Sequence, residues 1–124
     1  MIIGIGIDIV EVRRISAALQ GTQTMEQKVF TVEEIRYCTE RKNKYQHFSG
    51  RFAAKEAALK ALGTGWSEGI RWKDVEVTNG ELGKPGLTFY GKAKEVLEKS
   101  GAQRAWLSIT HSPEHSVAVV VLEK

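Results

Sequence analysis

Only one cysteine, Cys38, occurs in the 124 residues. A lone thiol excludes an intramolecular disulfide and any multi-cysteine metal site. In a helical stretch it reads as a small apolar filler, not as a nucleophile. No apolar run reaches the ~18 residues of a membrane span, and no basic segment precedes the apolar start, so neither a membrane helix nor a signal peptide is expected. Dense basic runs are missing as well. Arg41, Lys42 and Lys44, then Lys92 and Lys94, are the tightest groups, and solvated helix faces account for both; nucleic acid is therefore not an expected partner. Several motifs fail on spacing. GIGID lacks the third glycine of a dinucleotide fingerprint, because Ile9 stands there, and ELGKPG has Gly-Lys without the phosphate-loop frame. His111 and His115 flank a turn without the helical spacing of a zinc site. There is no GxSxG elbow. Repeats, linkers and low-complexity tracts do not occur.

What remains is ordinary globular composition: 42% hydrophobic and 27% charged residues, with a net charge of +3. One domain over residues 1–124 is expected, in a soluble, reduced, cytoplasmic protein. The mild basic bias suits an acidic protein partner or a phosphate-rich ligand.

Residues 2–10 alternate with period two. Ile3, Ile5, Ile7 and Ile9 share one face and Gly4, Gly6 and Asp8 the other. Isoleucine favours strands, so the isoleucine face is expected in the core. Glycine inside a strand marks a close approach by another backbone or a ligand, here beside a carboxylate. A short helix is predicted over 11–19, ending near Gly21. A second begins at Val32 behind Thr31 as N-cap, with Glu33 and Glu34 in its first turn. The longest helix is predicted over 45–62, rich in alanine and stopped by Gly63 and Gly65. Strands follow at 72–77 and 87–90 around an Asn79-Gly80 turn, then a helix over 92–99, then two strands, 105–112 and 116–122, joined by a turn at 113–115. The class is α+β: a strand, a helical middle and a mostly antiparallel final half.

Two stretches carry candidate chemistry, GIDIVEVRRI and RFAAKEAALKALGTG. Phe52, Glu56 and Lys60 form a stripe at i, i+4 and i+8 down one helix face. Alone, Glu56 and Lys60 read as an exposed ion pair worth roughly 0.3–0.5 kcal/mol, and Asp8 alone reads as a strand-end cap. Together they suggest more. Asp8 stands on a face cleared by glycine, and Glu56 on an alanine-rich helix able to close on it. Two converging carboxylates resist joint ionisation unless a cation lies between them. Magnesium suits such a pair, filling its shell with water and phosphate oxygens.

GIGIDIVEVRRI, RFAAKEAALKALGTG, Gly83-Lys84-Pro85 and LSITHS, in this order and across nearly the whole chain, resemble the holo-acyl-carrier-protein synthase family. This is the small type of the 4′-phosphopantetheinyl transferase superfamily. The resemblance implies that family's fold, with an antiparallel sheet packed against a long helix. It also implies a reaction: transfer of the 4′-phosphopantetheine arm of coenzyme A to a serine of apo-acyl carrier protein, for fatty acid biosynthesis. Adenosine 3′,5′-bisphosphate is released. By the same resemblance Asp8 and Glu56 are the magnesium ligands, and Lys60 neutralises the phosphate under attack. Arg51 and His111 approach the nucleotide end, and Gly63, Lys84 and Pro85 border the coenzyme. Leu82 stands where the family often has asparagine, which removes any contact from that side chain. Arg13 and Arg14 match a basic surface that docks the acidic carrier. Members of the family form homotrimers with active sites between subunits. The general base is left open between Glu56 and a metal-bound water.

Two other readings compete. A non-catalytic binding module with a basic face would have no need of Asp8, Glu56 and Lys60 together. A transferase of the same architecture could instead serve a peptidyl carrier protein. Trp66, Trp72 and Trp106 are expected as core or interface anchors, and His115 as a solvated turn residue.

Overall fold

A computed structural model describes residues 1–67 and 69–124. Strand β1 (Ile2–Glu11) leads through helices α1 (Val12–Gly21), α2 (Gln23–Val29) and α3 (Val32–Thr39) to the long helix α4 (Lys44–Leu62). A 3-10 turn at Trp72–Asp74 precedes the hairpin β2 (Val75–Asn79) and β3 (Pro85–Phe89). Helix α5 (Gly91–Ser100) and the strands β4 (Arg104–His111) and β5 (His115–Glu123) complete the chain. The larger sheet is antiparallel in the order β1-β5-β4, and β2 and β3 form a second antiparallel pair.

The sheet and α4 make the core. Pairing sets Gly4 opposite Leu122, Gly6 opposite Val120 and Asp8 opposite Ala118, all on the face that meets α4. Leu122 and Val120 are fully buried there, each contributing roughly 1.5–3 kcal/mol. The glycines let the helix approach backbone to backbone. A Cβ on Gly6 would overlap the Ala57 carbonyl, and one on Gly4 the Ala61 carbonyl.

This reverses the expected orientation of β1. Ile5, Ile7 and Ile9 are 60%, 60% and 64% exposed on the outer face, while Gly6 and Val10 lie inside. Alternation identifies two unlike faces, and the apolar one is taken as the inner one. Here the demand of α4 for clearance decides instead, so the small residues face inward. Register continues the outer face through Val117, Val119 and Val121 to Trp106, which is itself exposed.

Most helix ends follow their local signals. Thr31 accepts from the Glu34 amide at 3.2 Å while Glu34 accepts from the Thr31 amide at 2.9 Å, a reciprocal capping box. Gly63 and Gly101 end α4 and α5 at positive φ. Helix α2, seven residues long, is too short to show a period and was not anticipated. Two local expectations fail. The strand expected from Trp72 begins only at Val75, because the Asp74 carboxylate accepts the Arg71 amide and closes a turn. His115 is half-buried as the first residue of β5, not a solvated turn residue. Cys38 is fully buried, and burial pushes its thiol up to about 12, so it is inert filling.

Candidate active site

At the end of β1 the inner face presents Asp8, whose side chain is 17% exposed. From the last turns of α4, the Lys60 ammonium donates to Asp8 Oδ1 at 3.1 Å and to the Ile7 carbonyl at 3.0 Å. Lys60 thus pairs across to the strand, not back along its own helix. Glu56 lies one turn earlier on the same helix face. Its carboxylate accepts the Trp66 indole N–H at 3.4 Å. Trp66 stacks on Trp72 with ring centroids 3.8 Å apart, and Trp72 on Phe52 at 5.0 Å. These two tryptophans are packing anchors, as expected, and they wall the side of Glu56.

Among the described residues no group of three or more His, Cys, Asp or Glu side chains comes together. Two carboxylates on adjoining elements nonetheless suit magnesium, which needs only one or two from the protein. The donors are hard oxygens, and an ammonium already sits against Asp8. Asp8 and Glu56 are the residues that could hold such an ion.

A second cluster forms around the first half of α4. Tyr37, His47, Gly50, Arg51, Ile109 and His111 line a cavity of about 130 Å³, closed on its other side by Asn79, Gly83 and Pro85. Arg51 is 4% exposed. It donates to Asn79 Oδ1 at 2.5 Å and lies over the Tyr37 ring at 3.9 Å, yet its buried Nε has no partner among the described residues. His111 Nδ1 lies 3.0 Å from the Ser116 hydroxyl, which is bonded in turn to Ser49. Gly50 makes room for this ring, since a Cβ there would come within 2.5 Å of His111 Cε1. Burial, then the Arg51 charge, holds the His111 imidazole below its ordinary value.

The candidates therefore divide between two places. Asp8, Glu56, Lys60 and the cap Gly63 mark the C-terminal half of α4. Arg51, Pro85 and His111 surround the cavity. Arg51 and Lys60 are nine residues apart, roughly 13 Å along the axis. Lys84 belongs to neither group, its ammonium lying 5.3 Å from the Trp106 ring near the outer sheet face. Arg13 and Arg14 are exposed on α1, in no ion pair among the described residues.

Sequence reasoning missed a buried ion pair next to Glu56. Lys55 and Glu34 meet at 2.8 Å with both side chains wholly inaccessible. Lys55 also donates to the carbonyls of Trp72 and Val75, and Glu34 accepts the Val77 amide at 2.8 Å. Burial pulls the Lys55 ammonium down and Glu34 partly restores it. The T-x-x-E spacing of Thr31 and Glu34 carried a signal for the cap, but none for Lys55. His47 and Tyr37 were also missed.

A family model, the 4′-phosphopantetheinyl transferase superfamily, matches residues 4–120. The holo-[acyl-carrier-protein] synthase of Geobacter sp. (strain M21) is 48% identical over 125 residues, covering 100% of each chain. The crystal structure of holo-[acyl-carrier-protein] synthase from Neisseria meningitidis is similar with a TM-score of 0.89 and 36% identity, covering 100% of both chains. That of a holo-(acyl-carrier-protein) synthase from Bacillus anthracis str. Ames, in complex with CoA (3′,5′-ADP), gives a TM-score of 0.83 and 38% identity, over 100% of this chain and 98% of that one.

Proposed function

This chain belongs to the 4′-phosphopantetheinyl transferase superfamily and is an enzyme of that class, and from that premise we propose that it loads acyl carrier protein. The 4′-phosphopantetheine arm of coenzyme A passes to a serine hydroxyl of the apo-carrier, with magnesium, and adenosine 3′,5′-bisphosphate leaves. The role is fatty acid biosynthesis in the cytoplasm. No helix among the described residues is long and apolar enough to cross a membrane.

One observation carries this reading: Lys60 held on Asp8 at 3.1 Å, with Glu56 a turn behind it. Asp8 and Glu56 would hold magnesium, which when bound neutralises charge on the coenzyme pyrophosphate. Lys60, half exposed, would turn toward the phosphate under attack and stabilise the charge that develops there. The serine proton would pass to Glu56 or to a water held beside it. Phe52, Trp66 and Trp72 pack together along that side of the site. The cavity of Arg51 and His111 suits the nucleotide end of the coenzyme, with Pro85 as its rim. Gly63 and Lys84 border the coenzyme at its two edges. Arg13 and Arg14, exposed and in no ion pair among the described residues, suit an acidic carrier surface.

The outer face of Ile5, Ile7, Ile9 and Trp106 supports a homotrimer. An apolar sheet face of this kind marks an interaction surface, and in a homotrimer the Asp8 and Glu56 of one protomer would meet the Arg51 and His111 region, or the Lys84 loop, of a neighbour. Light scattering should give three times the chain mass; a monomer at working concentration would refute the trimer. The activity itself is tested by incubation with coenzyme A, magnesium and apo-carrier protein. The carrier's intact mass should rise by one phosphopantetheine arm. An unchanged mass would refute the reading.

A further inference from the structure

The cavity around Arg51 holds two imidazoles, and only one of them has been given a role. His47 projects from the first turn of α4 and packs edge-on against His111, with ring centroids 5.6 Å apart, and against Tyr37 at 5.7 Å. Both histidines line the same cavity as the buried Nε of Arg51, which has no partner among the described residues. The charged and titratable groups facing His47 come from every packed element. Tyr37 and Arg41 come from α3 and the segment after it, His111 from β4, and Arg51 from α4 itself. The hairpin of β2 and β3 adds Asn79, Gly83 and Pro85 to the wall, none of them charged. Arg41 lies over one side of the Tyr37 system at 3.3 Å and Arg51 over the ring at 3.9 Å. Among the described residues no carboxylate lines the cavity.

Such a lining suits an anion. Two permanent guanidinium charges flank two rings that each can take a proton, while the carboxylates Glu33, Glu40 and Glu76 line the adjoining cavity that shares Tyr37, Arg51 and Asn79 with this one. An anion beside the rings favours their protonated forms. A doubly protonated pair then gives the anion two more donors, beside the free N–H of Arg51.

We propose that His47 is a second phosphate-binding imidazole, and that the coenzyme's 3′-phosphate binds together with proton uptake by the His47–His111 pair. This rests on the reading that the nucleotide end of coenzyme A occupies the Arg51 cavity. In the free protein both rings are neutral near pH 7. Burial first, then the charges of His111, Arg41 and Arg51, keep His47 below its ordinary value. Binding raises the value, so affinity is greatest at low pH and falls as pH rises through the value in the complex. Each imidazole whose pKa moves up by about one on binding makes affinity about tenfold weaker at high pH than at low pH.

The test follows the ring protons of the three histidines and of Tyr37 by NMR across pH, in the assembled protein. It is run without ligand, with coenzyme A, and with coenzyme A lacking the 3′-phosphate. Dissociation constants are measured in parallel for wild type and for His47→Phe and His47→Gln, the second covering a fold that tolerates only a polar ring substitute. With coenzyme A, His47 and His111 should titrate about one pH unit higher while His115 stays fixed, and both variants should lose most of one imidazole's pH dependence in binding. A His47 resonance that titrates at the same pH with and without coenzyme A overturns the proposal. So do variants that keep the full wild-type pH dependence. Equal shifts with the ligand lacking the 3′-phosphate would also overturn the proposal, since the pair would then answer to the coenzyme but not to that phosphate; bound coenzyme A that leaves the resonances of Tyr37, His47 and His111 all unmoved would instead overturn the underlying placement of the nucleotide.

Discussion

Two lysines five residues apart on α4 make contrasting ion pairs. Lys55 is fully buried on Glu34, and both partners are held by further hydrogen bonds to the backbone of residues 72–77 and Thr31. Lys60 is half exposed on Asp8. The first pair ties α3, α4 and the hairpin together and has no freedom to do anything else. The second joins α4 to β1 through side chains that solvent and ligand can reach. A charge serves structure where its partners saturate it, and chemistry where it can be exchanged for another partner.

The contrast should be broken most severely at Lys55. Lys55→Met leaves the Glu34 carboxylate buried without its cation and should cost about 3–5 kcal/mol in chemical denaturation. A loss below about 1 kcal/mol would mean that the pair is not structural. Lys60→Ala should show the opposite profile. Stability should stay within about 1 kcal/mol of wild type, while phosphopantetheine transfer slows on the order of 10²-fold, as for loss of one charge-stabilising donor. A normal rate would remove Lys60 from the chemistry.

The two histidines of the Arg51 cavity extend the contrast to groups that face cations and not carboxylates. His47 and His111 are held below the ordinary value of 6.5 in the folded state. The unfolded chain therefore binds more protons just below that value, and stability falls as pH drops from 6.5 toward the folded values. The ligand-free protein should melt at a lower temperature at pH about 5.5 than at about 7, and His47→Phe should melt with a smaller difference. An equal difference in both proteins would locate the acid sensitivity elsewhere. The smallest effect is screening. Raising salt from about 0.1 M to about 1 M should weaken carrier docking on Arg13 and Arg14 and leave the melting contribution of Lys55 untouched. A Michaelis constant for the carrier that ignores salt would exclude docking by those arginines.

Much of this was legible in the residues. The Thr31 cap, the alanine-rich helix with its glycine stop, and the glycine-cleared face of β1 are local signals, and the structure follows them. The orientation of β1 was not legible, because its packing depends on how closely α4 approaches and the isoleucines look like core. The Lys55–Glu34 pair spans 21 positions in sequence and has no pattern of its own. His47 sits in a polar stretch, and only the fold brings it to His111. Asp8, Glu56 and Lys60 were recognisable by type and spacing, but their pairing was not, since Lys60 chose Asp8 across the packing interface over Glu56 along its helix.

The most direct test of the division between a structural and a reactive charge is Glu56→Ala, assayed for transfer by carrier intact mass and for folding by thermal melting in the same preparation. A cooperative melt close to wild type with no gain of the phosphopantetheine arm is the expected result. A folded variant that loads the carrier at the wild-type rate would contradict the placement of the reaction at Asp8, Glu56 and Lys60.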